Sequence, residues 1–201
     1  MRLLALDTTS EHGSVALLEY GQVVATREMH EEDGYSAVIF GVIAELLARV
    51  GWKLSDLDCF AGATGPGSFT GVRVCLTAVK GLAEANGRPA VGVSNLQALA
   101  SLGNDAVRAP WIDAHRGEVY SGLYDARGHA LRPEAVAPRE EWQAQLDPET
   151  EAITGEGVAL ASPIGRIAYG RWRAGERPDP ASLEANYVRR SDAELFSTPA
   201  Y

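Results

Sequence analysis

The chain has 201 residues, of which 46% are hydrophobic and 22% charged, and its formal net charge is −9. This composition is typical of a folded globular protein and excludes a disordered chain. The acidic balance argues against tight direct binding of nucleic acid, which usually depends on basic side chains. Cys59 and Cys75 are too few for a disulfide framework, and no apolar run approaches the roughly 20 residues that span a bilayer. We therefore expect a cytoplasmic protein with no membrane partner.

The first half of the sequence predicts a mixed sheet with helices packed on it. Short apolar runs bounded by turn residues predict strands, and longer runs of helical period predict helices. In chain order these are strands at 3–6, 14–20 and 22–29, a helix at 36–50, a strand at 59–64, a helix at 72–86, a strand at 90–93 and a helix at 95–102. Gly51 is the expected C-cap of the first helix, and Ser94 is the expected N-cap of the third.

The second half partly repeats the first, which predicts an eroded internal duplication. Asp113 ends an apolar run, and Gly117 follows a short polar turn before a strand at 118–124, as in the first hairpin. Two unrelated hairpins with common turn residues are the alternative. Further on, the sequence predicts helices at 140–146 and 163–174 and a short strand at 152–154. We divide the chain into an N-terminal lobe, 1–103, which carries the interaction helices, and a reduced C-terminal lobe, 104–201.

A glycine-rich loop at 65–71 stands between a predicted strand and a predicted helix, where such loops often hold phosphate. It lacks the lysine of a P-loop, because Val72 follows its last glycine, and Thr70 stands where the dinucleotide pattern requires glycine. Three interpretations remain open. The glycines permit close helix–strand packing with Ser68 or Thr70 as the cap, or the loop binds an anion through Gly67, or it contacts a partner.

Asp7 and Thr8 open the turn after the first predicted strand, and Asp113 holds the matching position in the second half. The turn is similar to the hairpin that wraps nucleotide phosphates in the actin and sugar-kinase superfamily. Thr9, however, replaces the glycine that would let the backbone approach a phosphate. We interpret this as a weakened or lost nucleotide site, with simple polar turns as the alternative. The weak candidates for nucleotide binding are Asp7, Thr8, Gly67 and Asp113.

The sequence contains no set of residues that predicts catalysis or metal binding. The four histidines include no pair at metal-ligand spacing, and neither cysteine has a ligand partner nearby. Ser68 does not stand in the nucleophile elbow of a hydrolase. We therefore assign no catalytic residue, no metal ligand and no bound cofactor to this chain.

Two predicted helices carry more apolar surface than one sheet can cover. Within 36–50 the only charged residues are Glu45 and Arg49, and the helix at 72–86 has a second apolar stripe of small residues beside its core stripe. Either the two helices pack on each other, or they form an exposed patch used for association, which we prefer. The predicted interface residues are Val38, Val42, Leu46, Val74, Ala78, Gly81 and Ala85.

Two segments are specific enough to suggest a family: Gly-Pro-Gly-Ser-Phe-Thr-Gly-Val-Arg at 65–73 and Ile-Asp-Ala-His-Arg-Gly-Glu-Val-Tyr at 112–120. With several other segments, they resemble the TsaB (YeaZ) family, which supports threonylcarbamoyladenosine synthesis on tRNA. The likeness covers nearly the whole chain in order. It implies an α/β, actin-like ATPase (ribonuclease H-like) fold of two related lobes, each a mixed sheet flanked by helices. The second lobe is expected to be reduced, and neither lobe to form a competent ATPase site.

The resemblance also implies a non-catalytic scaffold that activates its larger paralogue TsaD, the subunit that transfers threonylcarbamoyl to adenosine 37 of tRNA, with the ATPase TsaE joining them. ATP and metal would then belong to the partner subunits, tRNA would be contacted indirectly, and the isolated chain would form a homodimer. Tyr35 stands where relatives often have histidine, and Arg189 and Arg190 are the candidates for direct tRNA contact. A small nucleotide-binding, kinase-like or ATPase enzyme of the actin superfamily is the alternative.

Overall fold

The structure is a computed structural model that describes residues 1–30 and 34–188. The strands are β1 (Arg2–Asp7), β2 (His12–Glu19), β3 (Gln22–His30), β4 (Cys59–Ala63), β5 (Ala90–Val93), β6 (Val107–Asp113), β7 (Glu118–Asp125), β8 (Ala130–Pro138) and β9 (Glu151–Thr154). The helices are α1 (Tyr35–Val50), α2 (Phe69–Asn86), α3 (Asn95–Ala100), α4 (Arg139–Ala144) and α5 (Ala161–Arg173). Arg189 and Arg190 lie outside the described residues.

Three predicted capping residues are confirmed, although α2 begins at Phe69 rather than at residue 72 and α3 ends at Ala100 rather than at residue 102. Gly51 adopts the left-handed conformation after α1, with φ of 70°. Ser68, one of the two predicted caps of α2, accepts a hydrogen bond from the Gly71 N–H, and Ser94 caps α3 through the N–H groups of Leu96 and Gln97. Each cap satisfies backbone groups that the helix itself leaves without partners.

Two mixed sheets repeat one topology. The first has the order β3-β2-β1-β4-β5, with β1 antiparallel to β2 and parallel to β4. The second has the order β8-β7-β6-β9, with β6 antiparallel to β7 and parallel to β9. The shared order agrees with the predicted duplication. Within the described residues the second sheet has one strand fewer, which agrees with a reduced second lobe.

Helices cover both faces of the first sheet. Helices α1 and α2 lie on one face, where a β-carbon on Gly62 of β4 would be 2.9 Å from Val79. Helix α5 lies on the other, where a β-carbon on Gly165 would be 2.4 Å from Leu18. Every residue of β4 is buried, as expected for a central strand covered on both faces. The first lobe is thus a three-layer sandwich.

Two helices cross the predicted lobe boundary. Helix α5 follows residue 103, yet its buried residues Ala161, Ile164 and Ala168 belong to the core of the first sheet. Helix α3 precedes residue 103 and contributes Leu96 and Ala100 to the cluster that includes Tyr124 of β7. A division at residue 103 therefore separates the two sheets, whereas the helices that cover them pass across it.

No helix within residues 1–30 and 34–188 combines the length and the hydropathy that a bilayer crossing needs.

Candidate functional site

The turn after β1 is sealed inside the protein. Asp7, Thr8 and Thr9 are at most 2% exposed. The Asp7 carboxylate accepts hydrogen bonds from the Thr9 N–H at 2.9 Å and from the Thr9 hydroxyl at 2.6 Å. Burial raises the pKa of Asp7, and the hydrogen bonds from Thr9 and the Leu160 backbone oppose that rise. The carboxylate is consequently engaged by its own turn rather than directed to solvent.

The glycine-rich loop packs directly on this turn. The Ser68 N–H donates to the Thr9 carbonyl at 2.8 Å, and the Thr8 hydroxyl donates to the Gly71 carbonyl at 2.7 Å. A β-carbon on Gly67 would lie 2.5 Å from the Thr9 carbonyl oxygen. The loop glycines therefore serve close backbone packing, the first of the three interpretations. They bring Asp7, Thr8 and Gly67 together, but with protein backbone filling the space between them.

Asp113 does not join this group. Its side chain is 68% exposed, and its carboxylate accepts a hydrogen bond from the His115 N–H at 2.8 Å within the β6–β7 turn. His115 and Arg116 have positive φ angles of 61° and 56°, which suit a tight turn. The second turn is thus an exposed, self-capped turn, unlike the sealed turn of the first hairpin.

Asn95 locks the loop to the turn, and the sequence analysis missed it. Its amide donates to the Thr9 hydroxyl at 2.5 Å and to the Pro66 carbonyl at 2.9 Å, and its backbone N–H donates to the Gly65 carbonyl at 2.9 Å. The peptide between Gly65 and Pro66 is cis. An asparagine directly after an N-cap serine gives no sequence signal of such a long-range contact.

Glu134 on β8 is a second unpredicted centre of hydrogen bonding. Its carboxylate accepts from the Ser94 hydroxyl, the Tyr124 hydroxyl and the Asn186 amide. Desolvation raises the pKa of Tyr124, and the neighbouring carboxylate adds to the rise. One side chain of the second sheet therefore ties the start of α3 and the C-terminal segment together.

Tyr35 begins α1 and has a structural role. It is 6% exposed. Its hydroxyl donates to the Ser10 carbonyl at 2.7 Å and accepts from the Gly13 N–H at 2.8 Å. This pair of bonds attaches the start of α1 to the β1–β2 turn.

Neither cysteine is placed for chemistry, and no metal cluster is formed by the part of the chain that the structure describes. Cys59 and Cys75 are free and buried. Burial raises the pKa of Cys59 to about 12 and raises that of Cys75 further. Within 1–30 and 34–188, no three His, Cys, Asp or Glu side chains lie close enough to hold a metal ion.

The predicted interface residues divide into three classes of exposure. Val38, Val42 and Val74 are partly exposed, and Gly81 and Ala85 are exposed. Leu46 and Ala78 are buried within the chain, at 4% and 5% exposure. Leu46 is thus a core residue rather than a surface residue. Residues four apart on a helix do not lie directly one above the other, so the row that starts at Val38 and Val42 on α1 faces the sheet by the time it reaches Leu46.

The exposed side of α1 lies one position away from the predicted line. Its exposed residues include five that are small or apolar, namely Ala37, Phe40, Gly41, Ala44 and Ala48, beside the polar Ser36, Glu45 and Arg49. Together with Val38, Val42, Val74, Gly81 and Ala85, we call these five small or apolar residues the α1–α2 surface. The largest of these residues, Phe40, is 56% exposed. Large exposed aromatic side chains grouped with small ones are typical of contact sites.

A groove of about 370 Å³ separates the first halves of α1 and α2. Its floor is formed by Ile39, Val74 and Ala78, and Phe40 and Phe69 line it from the two helices. Thus the two helices do not fully cover each other's apolar faces, and the association interpretation keeps a physical basis.

The chain is similar to known proteins both in sequence and in fold. The family model described as TsaD, tRNA N6-adenosine threonylcarbamoyltransferase, matches residues 26–165. The tRNA N6-adenosine threonylcarbamoyltransferase of Solidesulfovibrio magneticus is 34% identical over 124 residues, which are 52% of this chain and 33% of that protein.

Higher coverage is found with proteins named tRNA threonylcarbamoyladenosine biosynthesis protein TsaB. The protein from Escherichia coli K12 is 34% identical over 171 residues, and that from Bacillus subtilis is 36% identical over 140 residues. These matches include 81% and 69% of this chain, which spans 71% and 60% of the two relatives.

The solved structures agree with the sequence matches. A Pseudomonas aeruginosa protein described as similar to the peptidase YeaZ superposes with a TM-score of 0.82 at 30% identity, over 94% of this chain and 99% of that one. YeaZ from the same organism superposes with a TM-score of 0.79 at 29% identity, over 92% and 99% of the two chains. The predicted α/β fold of two mixed sheets flanked by helices is confirmed, and the chain belongs to the TsaB (YeaZ) family.

Proposed function

We propose that this chain is a non-catalytic subunit of tRNA threonylcarbamoyladenosine biosynthesis. It binds the larger paralogous transferase, TsaD, through the α1–α2 surface and holds that enzyme in a competent conformation. A TsaE-class ATPase joins the complex and supplies nucleotide chemistry. The TsaB relatives support the pathway, and the match to the transferase family supports paralogy between the two subunits.

One observation carries the choice of surface. The first part of α1, residues 36–44, carries no charged side chain, and it borders the groove lined by Phe40 and Phe69. Small residues such as Gly41 and Gly81 have no other group within 4 Å of the position of a β-carbon. A neighbouring helix can therefore approach this surface closely, and covering Phe40 would remove apolar area from water.

The isolated chain is expected to use the same surface for a homodimer, so self-association and transferase binding should compete. tRNA is contacted through the transferase, which agrees with a net charge of −9 on this chain. Adding a molar excess of transferase should therefore dissociate the homodimer.

A nucleotide-binding enzyme is the weaker alternative. Its candidate group, Asp7, is 0% exposed and bonded to Thr9, and the Gly67 backbone contacts the same turn. Titration calorimetry with ATP and magnesium tests this alternative. Micromolar binding that is lost in Asp7→Ala would favour an enzyme over the scaffold.

The direct test of the scaffold compares two matched glycine variants. Gly81 on α2 and Gly170 on α5 are both exposed helical positions with open space around the β-carbon position. Gly81→Arg should abolish co-purification with the transferase, whereas Gly170→Arg should bind like the unmodified chain. Equal binding by both variants would count heavily against the proposed surface.

A further inference from the structure

Arg73 is the one charged residue that lines the groove between α1 and α2 in the described structure. Its guanidinium carbon lies 3.8 Å from the centroid of the Phe69 ring, a cation–π distance. No carboxylate of residues 1–30 and 34–188 forms an ion pair with it. The guanidinium is thus oriented by a ring, while the charge has no described counter-charge.

The ring that holds this guanidinium is itself held by a second aromatic ring. Phe69 stacks on Tyr187 with ring centroids 5.6 Å apart, and the segment carrying Tyr187 is attached by the Asn186 N–H, which donates to the Thr64 carbonyl at 2.8 Å. The other cation on this helix, Lys80, is directed elsewhere and donates to the Ala181 carbonyl at 3.3 Å. Arg73 is therefore a preorganised cation at the edge of an apolar groove.

A partner that buries the Arg73 guanidinium must also provide a group that pairs with its charge. A partner seated on Phe40 and Phe69 removes water from Arg73, and a desolvated charge is strongly unfavourable unless it is paired. The planar guanidinium keeps N–H donors free at its edges while its face lies on Phe69, and those edges match a carboxylate. The other polar side chains that line the groove, those of Ser36, Thr70 and Thr77, carry uncharged hydroxyl groups.

We infer that Arg73 selects the partner by pairing with a carboxylate beside the apolar side chain that fills the groove. The occupant is a helix of the paralogous transferase that presents an apolar residue and an Asp or Glu one turn away on the same face. Residues three or four apart on a helix point to the same side, and an amphipathic helix in a groove is a common recognition mode. This inference rests on the proposed function and names the chemistry of its contact.

The test measures transferase affinity for four chains: the unmodified protein, Arg73→Gln, Val74→Arg and Arg173→Gln. Arg73→Gln removes the charge at an exposed position and should weaken binding at least about fivefold, as loss of a hydrogen-bonded charge pair predicts. Raising salt from about 50 mM to about 500 mM should weaken the unmodified complex more than the Arg73→Gln complex. Arg173→Gln, an exposed arginine on α5, should leave affinity unchanged.

The outcomes separate this inference from the proposed function. Val74→Arg places a bulky charge in the groove and should abolish binding. If Val74→Arg abolishes binding while Arg73→Gln weakens it less than about fivefold, the docking surface stands and the inferred carboxylate contact is overturned. If Val74→Arg binds normally, or if the unmodified chain does not bind the transferase, the proposed function fails together with this inference. Melting temperatures confirm that every variant is folded.

Discussion

Gly71 lies so close to Thr8 that a β-carbon on Gly71 would stand 2.0 Å from the Thr8 carbonyl oxygen. The Thr8 hydroxyl in turn donates to the Gly71 carbonyl at 2.7 Å. These two residues join the turn of the first hairpin to the first turn of α2. The contact fixes the start of α2, which carries part of the α1–α2 surface, so packing at the turn after β1 and presentation of that surface are physically connected.

Replacing Gly71 with alanine should therefore destabilise the protein. The added methyl group meets backbone rather than a flexible side chain, and overpacking of this kind costs about 1–3 kcal/mol, occasionally more. Urea denaturation followed by circular dichroism measures the change. Gly81→Ala is the matched control, because the open site on the same helix should gain about 0.5–1 kcal/mol. Equal stability of Gly71→Ala and the unmodified chain would contradict the described contact.

Replacing Glu134 with glutamine should loosen the attachment of the C-terminal segment. The amide keeps the shape of the carboxylate but loses the charge and one acceptor, so it cannot satisfy the donors of Ser94, Tyr124 and Asn186 together. Hydrogen bonds to charged groups are worth about 1.5–3 kcal/mol, and we expect a loss of at least about 2 kcal/mol.

Hydrogen exchange supplies the specific measurement for Glu134→Gln. The Asn186 N–H, which donates to the Thr64 carbonyl, should exchange faster in the variant. Glu149→Gln, at an exposed position, is the control for a general effect of removing a negative charge. Unchanged stability and unchanged exchange in Glu134→Gln would show that the Glu134 carboxylate does not hold the C-terminal segment that carries Asn186.

Stability should depend on pH through Asp7. Because burial raises the folded-state pKa of Asp7 above its ordinary value, the folded state holds the proton more tightly than the unfolded state. The contribution of Asp7 to stability is therefore fully present below the unfolded pKa of about 4 and is lost as pH rises through the folded pKa. The protonated carboxyl group of Asp7 is tolerated in the folded state, whereas the ionised form destabilises it.

Asp7→Asn isolates this effect, since asparagine does not titrate. The difference in unfolding free energy, variant minus unmodified chain, should rise with pH from about 4 until the raised pKa is passed, and should then stay level. Urea denaturation at a series of pH values measures it. A difference that is flat with pH, or that falls, would contradict the raised pKa.

Both thiols should be unreactive in the folded protein. Cys59 and Cys75 are buried, and burial raises the pKa of Cys59 to about 12, so little thiolate is present near neutral pH. A thiol-specific chromogenic reagent should label neither residue in the native state and both in denaturant. Rapid labelling of the native protein would require an opening of the core that the structure does not contain.

Local sequence patterns predicted the strands and helices better than they predicted how these elements pack on one another. Caps such as Ser68, Ser94 and Gly51 are decided by hydrogen bonds within a few residues, so the sequence reveals them. No strand was predicted from the sequence at β8, an edge strand that contains Arg132, Pro133 and Glu134. Edge strands tolerate proline and charged residues, and these mask the usual strand pattern.

Only the local part of the candidate site was predicted from the sequence. Asp7, Thr8 and Gly67 were identified from their turns, but Asn95 and Glu134 act across 86 and 40 residues of sequence respectively. Such contacts leave no local pattern. Leu46 was assigned to the surface because helical spacing alone cannot fix how far a helix is rotated toward its sheet, and one position along the helix separates core from solvent.

The most direct measurement of the central claim is the rate of threonylcarbamoylation of tRNA by the paralogous transferase and its ATPase, with and without this chain. The proposal predicts little activity without the chain and restored activity with it or with Gly170→Arg. Gly81→Arg should fail to restore activity while remaining folded. Full activity without the chain, or with Gly81→Arg in its place, would contradict the account.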